Sequence, residues 1–179
     1  MAAVPASLTL TALAGVPLVR AGDDLATLVL DALAASGLAL QAGDAIVLAQ
    51  KIVSKAQGRL VALATVQPSV HACELAERTG KDARLMQLVL DESTEVLRAV
   101  PGVVVVEHRL GFVAANAGID QSNTNADGGD SLVLLLPLDP DGTCAALRAE
   151  LRARSGVDVA VLVIDSFGRA WRNGTIGTT

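Results

Sequence analysis

The spacing of apolar residues predicts short strands and helices along the chain. Residues 7–12 alternate apolar and polar side chains, which is the two-residue period of a half-buried strand. A helical period follows, with Asp23 or Asp24 as the N-terminal cap and an end near Gly37. Residues 45–49 predict a short apolar strand, whereas residues 52–63 mix Val, Ser, Lys and Gly and predict a strand or a loop.

The remainder of the chain mixes the same two kinds of element. Residues 71–98 predict two helices divided near Thr79 and Gly80, and residues 118–130 form a loop rich in Asn, Asp, Ser and Gly. Further strands are predicted at 103–106, 112–115, 132–136 and 159–164, and a helix at 145–154. Because strands and helices do not alternate regularly, the predicted fold class is α+β, with mixed sheets and packed helices, in a single domain over residues 1–179.

Composition narrows the classes of function. The chain has 14 basic and 19 acidic side chains, a net charge of −5, one Trp, two Phe and no Tyr. A nucleic-acid partner is not expected, because a basic stripe and stacking aromatic residues are both missing. No apolar run is long enough to span a bilayer, and Cys73 and Cys144 suit neither a metal spacing nor a disulfide framework. We therefore expect a cytoplasmic protein without a membrane partner.

The loop Gly118–Asn123 is the first candidate site. It places the carboxylate of Asp120, a hydroxyl and the amide of Asn123 close together, beside small residues that let a phosphate or a metal approach the backbone. An Asx-type turn takes the same residue types for local hydrogen bonding, and that alternative stays open.

The second candidate is the segment 165–172. Asp165 ends the most hydrophobic strand, where a carboxylate is unfavourable unless it has a partner. Asp165 and Asp120 could together hold Mg²⁺ or Mn²⁺, with Ser166 as a further oxygen ligand. Arg169 and Arg172 could bind phosphates or carboxylates. An internal Asp–Arg pair that closes a turn is the alternative.

A third candidate follows the strand that ends at residue 49. Gln50, Lys51 and Lys55 could meet the charge of a polyphosphate, although such lysines are often simply solvated. The isolated histidines, His71 and His108, are assigned no role. The sequence contains no Walker-type loop, dinucleotide fingerprint or serine-hydrolase elbow, so a nucleotide site here would be unconventional.

Taken in order, several motifs make the chain resemble the coenzyme F420 γ-glutamyl ligase family, the F420-0:L-glutamate ligases. The motifs are Gly15-Val16-Pro17-Leu18, Gly22-Asp23-Asp24-Leu25, Lys51-Ile52-Val53-Ser54-Lys55, Gly58-Arg59, Glu92-Ser93-Thr94-Glu95-Val96-Leu97-Arg98, Ala115-Asn116-Ala117-Gly118-Ile119-Asp120, Leu136-Pro137-Leu138-Asp139-Pro140-Asp141 and the string from Asp165 to Arg172.

The resemblance implies a GTP-dependent ligase. GTP would activate a carboxylate of F420-0 as an acyl phosphate, and the amine of L-glutamate would then attack it. The resemblance places metal ligands on Asp120 and Asp165, with Ser166 serving a second ion; Mg²⁺ or Mn²⁺ is expected, with K⁺ as a further candidate. It implies an intertwined homodimer and assigns no catalytic residue. The nucleotide contacts that it implies are Gly15, Val16, Pro17, Leu18, Gln50, Lys51, Lys55 and Asn123.

Two departures from the family pattern affect these expectations. Gln50 stands where relatives usually have Ser or Thr. The chain ends at Thr179, whereas relatives continue through further elements, so a C-terminally truncated ligase domain is expected. Two other interpretations remain: a related ligase that acts on a different carboxylate acceptor, and a truncated homologue that only binds.

Overall fold

The computed structural model describes residues 7–121, 131–168 and 175–179, and within those ranges it contains five α-helices and eight β-strands. The helices are α1 (Leu25–Ala35), α2 (Gln50–Ala56), α3 (Val70–Thr79), α4 (Ala83–Asp91) and α5 (Pro140–Ser155). The strands are β1 (Ala45–Ala49), β2 (Leu60–Ala62), β3 (Ser93–Val100), β4 (Val103–His108), β5 (Val113–Ala115), β6 (Leu132–Leu134), β7 (Ala160–Gly168) and β8 (Thr175–Thr178).

The strands form three sheets of mixed direction. The sheet β1-β7-β8 joins a parallel pair to an antiparallel one, whereas β2-β6 and β3-β4-β5 are antiparallel throughout. This combination of mixed sheets with packed helices confirms the predicted α+β class. Among the described residues, no helix combines the length and the apolarity that crossing a membrane requires.

Helix α1 begins and ends where the sequence predicts. The Asp24 carboxylate accepts hydrogen bonds from the backbone N–H groups of Ala26 and Thr27, which caps the helix. Its buried face, which includes Val29 and Leu33, packs with α5 and with one face of β1. These contacts form the first of two hydrophobic cores.

The second core lies between the helix pair α3–α4 and the sheet β3-β4-β5. Helix α4 contributes Met86 and Val89, both fully buried, and β4 contributes Val104 and Val106. Helix α3 ends at Gly80, which adopts the left-handed conformation with φ of 68°. The divided helix pair that the sequence predicts is therefore confirmed.

Parallel pairing of β1 with β7 places two predicted site segments side by side. The register pairs Ala49 with Ile164, so β1 ends opposite the residue that precedes Asp165. Helix α2 starts directly at Gln50, and Lys51 follows in its first turn. Strand β7 continues past Asp165 to Gly168 and pairs there with β8, so the prediction that Asp165 ends this strand is wrong. Lys51 and Asp165 nevertheless both lie just beyond the end of β1, at the same edge of the β1–β7 pair.

The strand predicted at residues 7–12 is wrong. The described segment from residue 7 to residue 13 has no regular secondary structure, and the side chains of Leu8 and Leu10 are each 85% exposed. Two-residue alternation predicts a strand only if a neighbouring strand pairs with it, and none of the described strands does so.

Two other segments correct the prediction. Within residues 52–63, predicted as a strand or loop, residues 52–56 belong to helix α2, because Val53 and Ser54 become fully buried on one helix face despite the β-branched residues nearby, whereas residues 60–62 form strand β2. Residues 93–100 form β3 rather than continuing a helix, because the chain turns at Gly102 (φ 81°) and pairs back along β4. In both cases tertiary packing overrides a local pattern.

Candidate active site

An ion pair between Lys51 and Asp120 marks the candidate site. Lys51 Nζ lies 2.5 Å from Asp120 Oδ2, and the two side chains are 38% and 20% exposed. The backbone N–H and carbonyl of Asp120 both bond to Leu134, at 3.0 and 2.8 Å, which attaches the acid to the end of β6. Lys51 of the third candidate segment and Asp120 of the first candidate loop are therefore in direct contact.

Asp165 belongs to the same cluster. Partial burial raises the pKa of its carboxyl, and the charge of Asp120 raises it further, against the opposing effects of the Ser166 N–H group and of Lys51. That backbone N–H of Ser166 donates to Asp165 Oδ1 at 2.8 Å. The two carboxylates therefore lie close enough for their charges to repel, and the charge of Lys51, which is paired with Asp120, opposes that repulsion at Asp165.

The backbone before Asp120 is held in an unusual conformation. Asn116 and Ala117 have φ of 50° and 53°, and Gly118 follows with φ of 67°. Left-handed conformations of non-glycine residues are unfavourable and persist only where the surroundings enforce them. Asn116 Oδ1 is buried and accepts no hydrogen bond from any described residue. The residues directly before Asp120 therefore form a strained loop that contains a buried acceptor, Asn116 Oδ1.

Gly118→Ala is expected to lower the free energy of unfolding by about 2–4 kcal/mol, from a left-handed backbone and a steric clash. A Cβ at this position would lie 2.7 Å from Leu136 Cδ1, whereas at Gly80, with nearly the same φ, it would meet nothing within 4 Å. The control Gly80→Ala should therefore lose only about 1 kcal/mol. Equal losses in urea unfolding would show that the contact with Leu136 contributes nothing.

The donor set suits a divalent cation that is shared with a substrate. Within the described ranges, no group of three or more His, Cys, Asp and Glu side chains could hold a metal alone. Mg²⁺ is usually bound by one or two carboxylates together with phosphates and water. Asp120 and Asp165 match that requirement, and Ser166 is exposed beside them. The residues present therefore fit a metal–phosphate complex better than a closed protein cage.

The predicted nucleotide contacts lie in two places. Gln50, Lys51 and Lys55 share helix α2, beside the two acids. The segment 15–18 instead runs along α1: a Cβ at Gly15 would lie 3.9 Å from that of Ala35. In that segment, Pro17 and Leu18 line a shallow cleft at the start of α1, and Val16 is 45% exposed.

Gln50 is more buried than a solvated contact residue would be. It is 3% exposed, and Ser54, one helical turn later, is fully buried. Gln50 Oε1 and Ser54 Oγ make no hydrogen bond with the described residues. Asn123, Arg169 and Arg172, which the sequence also suggests for the site, lie outside the described residues.

A buried charge cluster was missed by the sequence analysis. Glu92 Oε1 lies 2.7 Å from Arg59 Nη2, and Glu92 Oε2 lies 3.1 Å from Arg109 Nε and 3.6 Å from Nε2 of the fully buried His108. Burial opposes ionisation of Glu92, but interactions with His108, Arg59 and Arg109 outweigh it and lower the pKa to about 2. The sequence signal that could have revealed this cluster was the position of Glu92, an acidic residue between helix α4 and strand β3.

The hydrogen bond that His108 Nδ1 accepts determines the tautomer of the neutral His108 ring. The backbone N–H of Leu110 donates to His108 Nδ1 at 3.0 Å, so in the neutral ring the proton is on Nε2, towards Glu92. The ring also stacks on Phe112, with centroids 5.0 Å apart. His108 is thus a core residue that faces the Glu92 carboxylate, not an isolated histidine.

Comparison with known proteins agrees with the resemblance in the motifs. The model of the F420-0:gamma-glutamyl ligase family matches residues 15–179. The coenzyme F420:L-glutamate ligase of Methanothermobacter thermautotrophicus is 44% identical over 170 residues, covering 95% of this chain and 66% of that protein. Proteins of the same name from Methanopyrus kandleri and Archaeoglobus fulgidus are 43% and 40% identical, over 89% and 91% of this chain and 60% and 61% of their own lengths.

The chain thus spans less than two thirds of the length of these curated relatives. The match nevertheless extends over nearly all of this chain and includes α2, the Asp120 loop and the end of β7. This chain belongs to the F420-0:gamma-glutamyl ligase family.

Proposed function

We propose that this chain forms an amide bond between the amino group of L-glutamate and a carboxylate of coenzyme F420-0, with GTP as the activating nucleotide. The observation that carries the proposal is the meeting of Lys51, Asp120 and Asp165 at one edge of the β1–β7 pair. The relatives are named coenzyme F420:L-glutamate ligases, and that name supplies the class of acceptor and the amino acid for the proposal.

The chemistry needs positioning and charge neutralisation rather than a covalent enzyme nucleophile. A carboxylate oxygen of F420-0 attacks the γ-phosphorus of GTP and releases GDP, which gives an acyl phosphate. The glutamate amine then attacks the acyl carbon, loses a proton, and phosphate leaves with that carboxylate oxygen. Lys51 can stabilise the transferring phosphoryl group through its ammonium, and Asp120 fixes the position of that ammonium.

Asp120 and Asp165 would hold Mg²⁺ or Mn²⁺, with Ser166 directed to a second ion and K⁺ as a further candidate. When bound, the divalent ion would neutralise phosphate charge. The remaining nucleotide contacts in the proposal are Gly15, Val16, Pro17, Leu18, Gln50, Lys55 and Asn123, and Arg169 and Arg172 are proposed substrate contacts. The half-buried position of Asp165 excludes part of the solvent that would otherwise screen these charges.

The deciding assay supplies F420-0, L-glutamate, GTP and Mn²⁺ and measures product by mass spectrometry. We expect F420-0 to gain one glutamyl residue for each GDP and phosphate released, and no product if GTP or glutamate is omitted. With ¹⁸O in the acceptor carboxylate, one labelled oxygen should appear in the phosphate. Unlabelled phosphate would exclude the acyl phosphate.

Other outcomes favour the remaining interpretations. Glutamate-dependent GTP hydrolysis with another carboxylic acid, but not with F420-0, would identify a ligase with a different acceptor. GTP binding without turnover would identify a binding-only homologue.

A homodimer is also part of the proposal. Leu8 and Leu10, each 85% exposed, and the exposed Val47 and Leu162 of the β1–β7 face are apolar surface that a second copy could cover. Sedimentation equilibrium tests this, and a monomer at micromolar concentration would contradict it.

A further inference from the structure

Arg59 lies between the two parts of the chain that carry the candidate site. Its backbone N–H donates to the carbonyl of Ser54 in α2 at 2.9 Å, and its own carbonyl accepts from the N–H of Leu135 at 3.1 Å. Its side chain adds a third contact, because Nε donates to the carbonyl of Leu136 at 2.9 Å. Arg59 therefore connects the helix of Lys51 with the segment 134–136.

That same segment holds Asp120. Leu134 exchanges two backbone hydrogen bonds with Asp120, and the side chain of Leu136 packs directly against Gly118 in the loop before the acid. Asp120 is thus held on one side of the segment, and Arg59 is bonded to the other. Any shift of the Leu136 carbonyl would be passed to the loop through these contacts.

Glu92 fixes the guanidinium in place. The Glu92 side chain is 9% exposed and the Arg59 side chain 16% exposed, and Arg59 Nη2 lies 2.7 Å from Glu92 Oε1. Glu92 is itself held by Arg109, whose Nε lies 3.1 Å away and whose backbone N–H donates to the Glu92 carbonyl at 3.0 Å. A buried and doubly anchored carboxylate gives the arginine a single orientation.

From these contacts we propose that Arg59 is a positioning residue for Asp120, acting through the carbonyl of Leu136 with Glu92 as its anchor. The effect of Arg59 on metal binding rests on the proposed function, whereas its effect on the position of Asp120 does not. Residues that hold a metal ligand in place fix its orientation. Their removal typically lowers metal affinity by about 10–100-fold.

Arg59→Lys is the informative variant. Lysine keeps a positive charge for Glu92 but has no Nε–H donor for Leu136 in the same planar group. We expect Mn²⁺ to bind about 10-fold more weakly, as measured by calorimetry. We also expect faster hydrogen exchange at the amides of Asp120 and Leu134, measured without metal.

A second variant guards against simple loss of folding. Arg59→Met combined with Glu92→Gln removes both members of the pair and leaves no unpaired Glu92 charge. If the role is positional, this double variant stays folded yet shows the same weak Mn²⁺ binding and fast exchange. Arg148→Met is the control, since Arg148 forms an exposed ion pair with Asp158 at 2.7 Å, away from the segment 134–136; it should change neither measurement.

The readouts separate this inference from the proposed function. Wild-type exchange rates at Asp120 and Leu134 in both Arg59 variants would overturn the positioning role, whether or not Mn²⁺ binds. Wild-type Mn²⁺ affinity in folded Arg59 variants would overturn it as well. Failure of the wild-type chain to bind Mn²⁺ would count against the proposed metal site, while the exchange rates would still decide the role of Arg59.

Discussion

Asp165→Asn is expected to reduce the rate of the proposed glutamate ligation about 1000-fold without lowering the stability of the fold. Neutralisation of charge by a bound metal supplies several kcal/mol to such a reaction, and about 1.4 kcal/mol corresponds to a factor of ten in rate. Asparagine has the same shape as aspartate, and its Oδ1 can still accept the Ser166 N–H bond. The change therefore removes a charge and little else.

The expected stability of this variant follows from the direction of the Asp165 pKa. Burial and the charge of Asp120 raise that pKa above its ordinary value of 3.8, so the folded state disfavours the charged carboxylate. At neutral pH a neutral residue should leave the free energy of unfolding unchanged or raise it. Urea unfolding at pH 7 measures this, alongside the ligation assay.

Asp158→Asn provides the matched control, because the pKa of Asp158 is lowered in the fold whereas that of Asp165 is raised. Arg148 lowers the pKa of Asp158 through a two-point contact, with Nε and Nη2 at 2.8 and 2.7 Å from the two carboxylate oxygens. Its neutralisation should slightly lower stability and leave ligation unchanged. If Asp165→Asn instead unfolds the protein, Asp165 is needed for the fold. If the variant keeps activity within tenfold of wild type, Asp165 is not needed for the reaction.

Local patterns were sufficient for the elements whose partners are near in sequence or whose ends carry clear signals. Helix α1 was predicted because an acidic cap, a helical apolar period and Gly37 all agree. Helix α2 was not, because seven residues with two β-branched side chains near the start carry little helical signal. Strand β3 was not, because only its pairing with β4 distinguishes it from the end of a helix.

The candidate site shows the same limit. That Asp120 and Asp165 act together was inferred from the carboxylate types and from the family resemblance. The contact of Lys51 with Asp120 depends on an α2 that was predicted as strand or loop, and so it was not foreseen. The pairing of Arg59 with Glu92 joins residues far apart in the chain, and no periodic pattern encodes such a contact.

Glu92→Gln is expected to lower the free energy of unfolding by about 3 kcal/mol at pH 7. The difference between the ordinary pKa of 4.5 and the value of about 2 in the fold corresponds to this energy, at about 1.36 kcal/mol for each pH unit. Loss of the charge also leaves Arg59 and Arg109 without their shared carboxylate, an unfavourable state for buried groups. Chemical denaturation of both proteins measures the difference.

The control is an ion pair of the same type at the surface. Asp82 and Arg84 lie 2.6 Å apart with side chains 36% and 42% exposed, and Asp82 also caps α4. Asparagine caps helices as well as aspartate does, and exposed pairs contribute little. Asp82→Asn should therefore change the free energy of unfolding by less than about 1 kcal/mol.

The pH dependence distinguishes a charge effect from a packing effect in Glu92→Gln. Because the folded pKa lies below the unfolded one, the stabilisation from Glu92 is complete above pH 4.5 and is lost as the pH falls towards about 2. Wild type should therefore lose its advantage over Glu92→Gln progressively through that window. A difference that stayed constant from pH 7 to pH 2 would mean that glutamine packs badly there. The buried cluster would then stabilise the fold through shape, and Glu92 would anchor Arg59 without contributing through its charge.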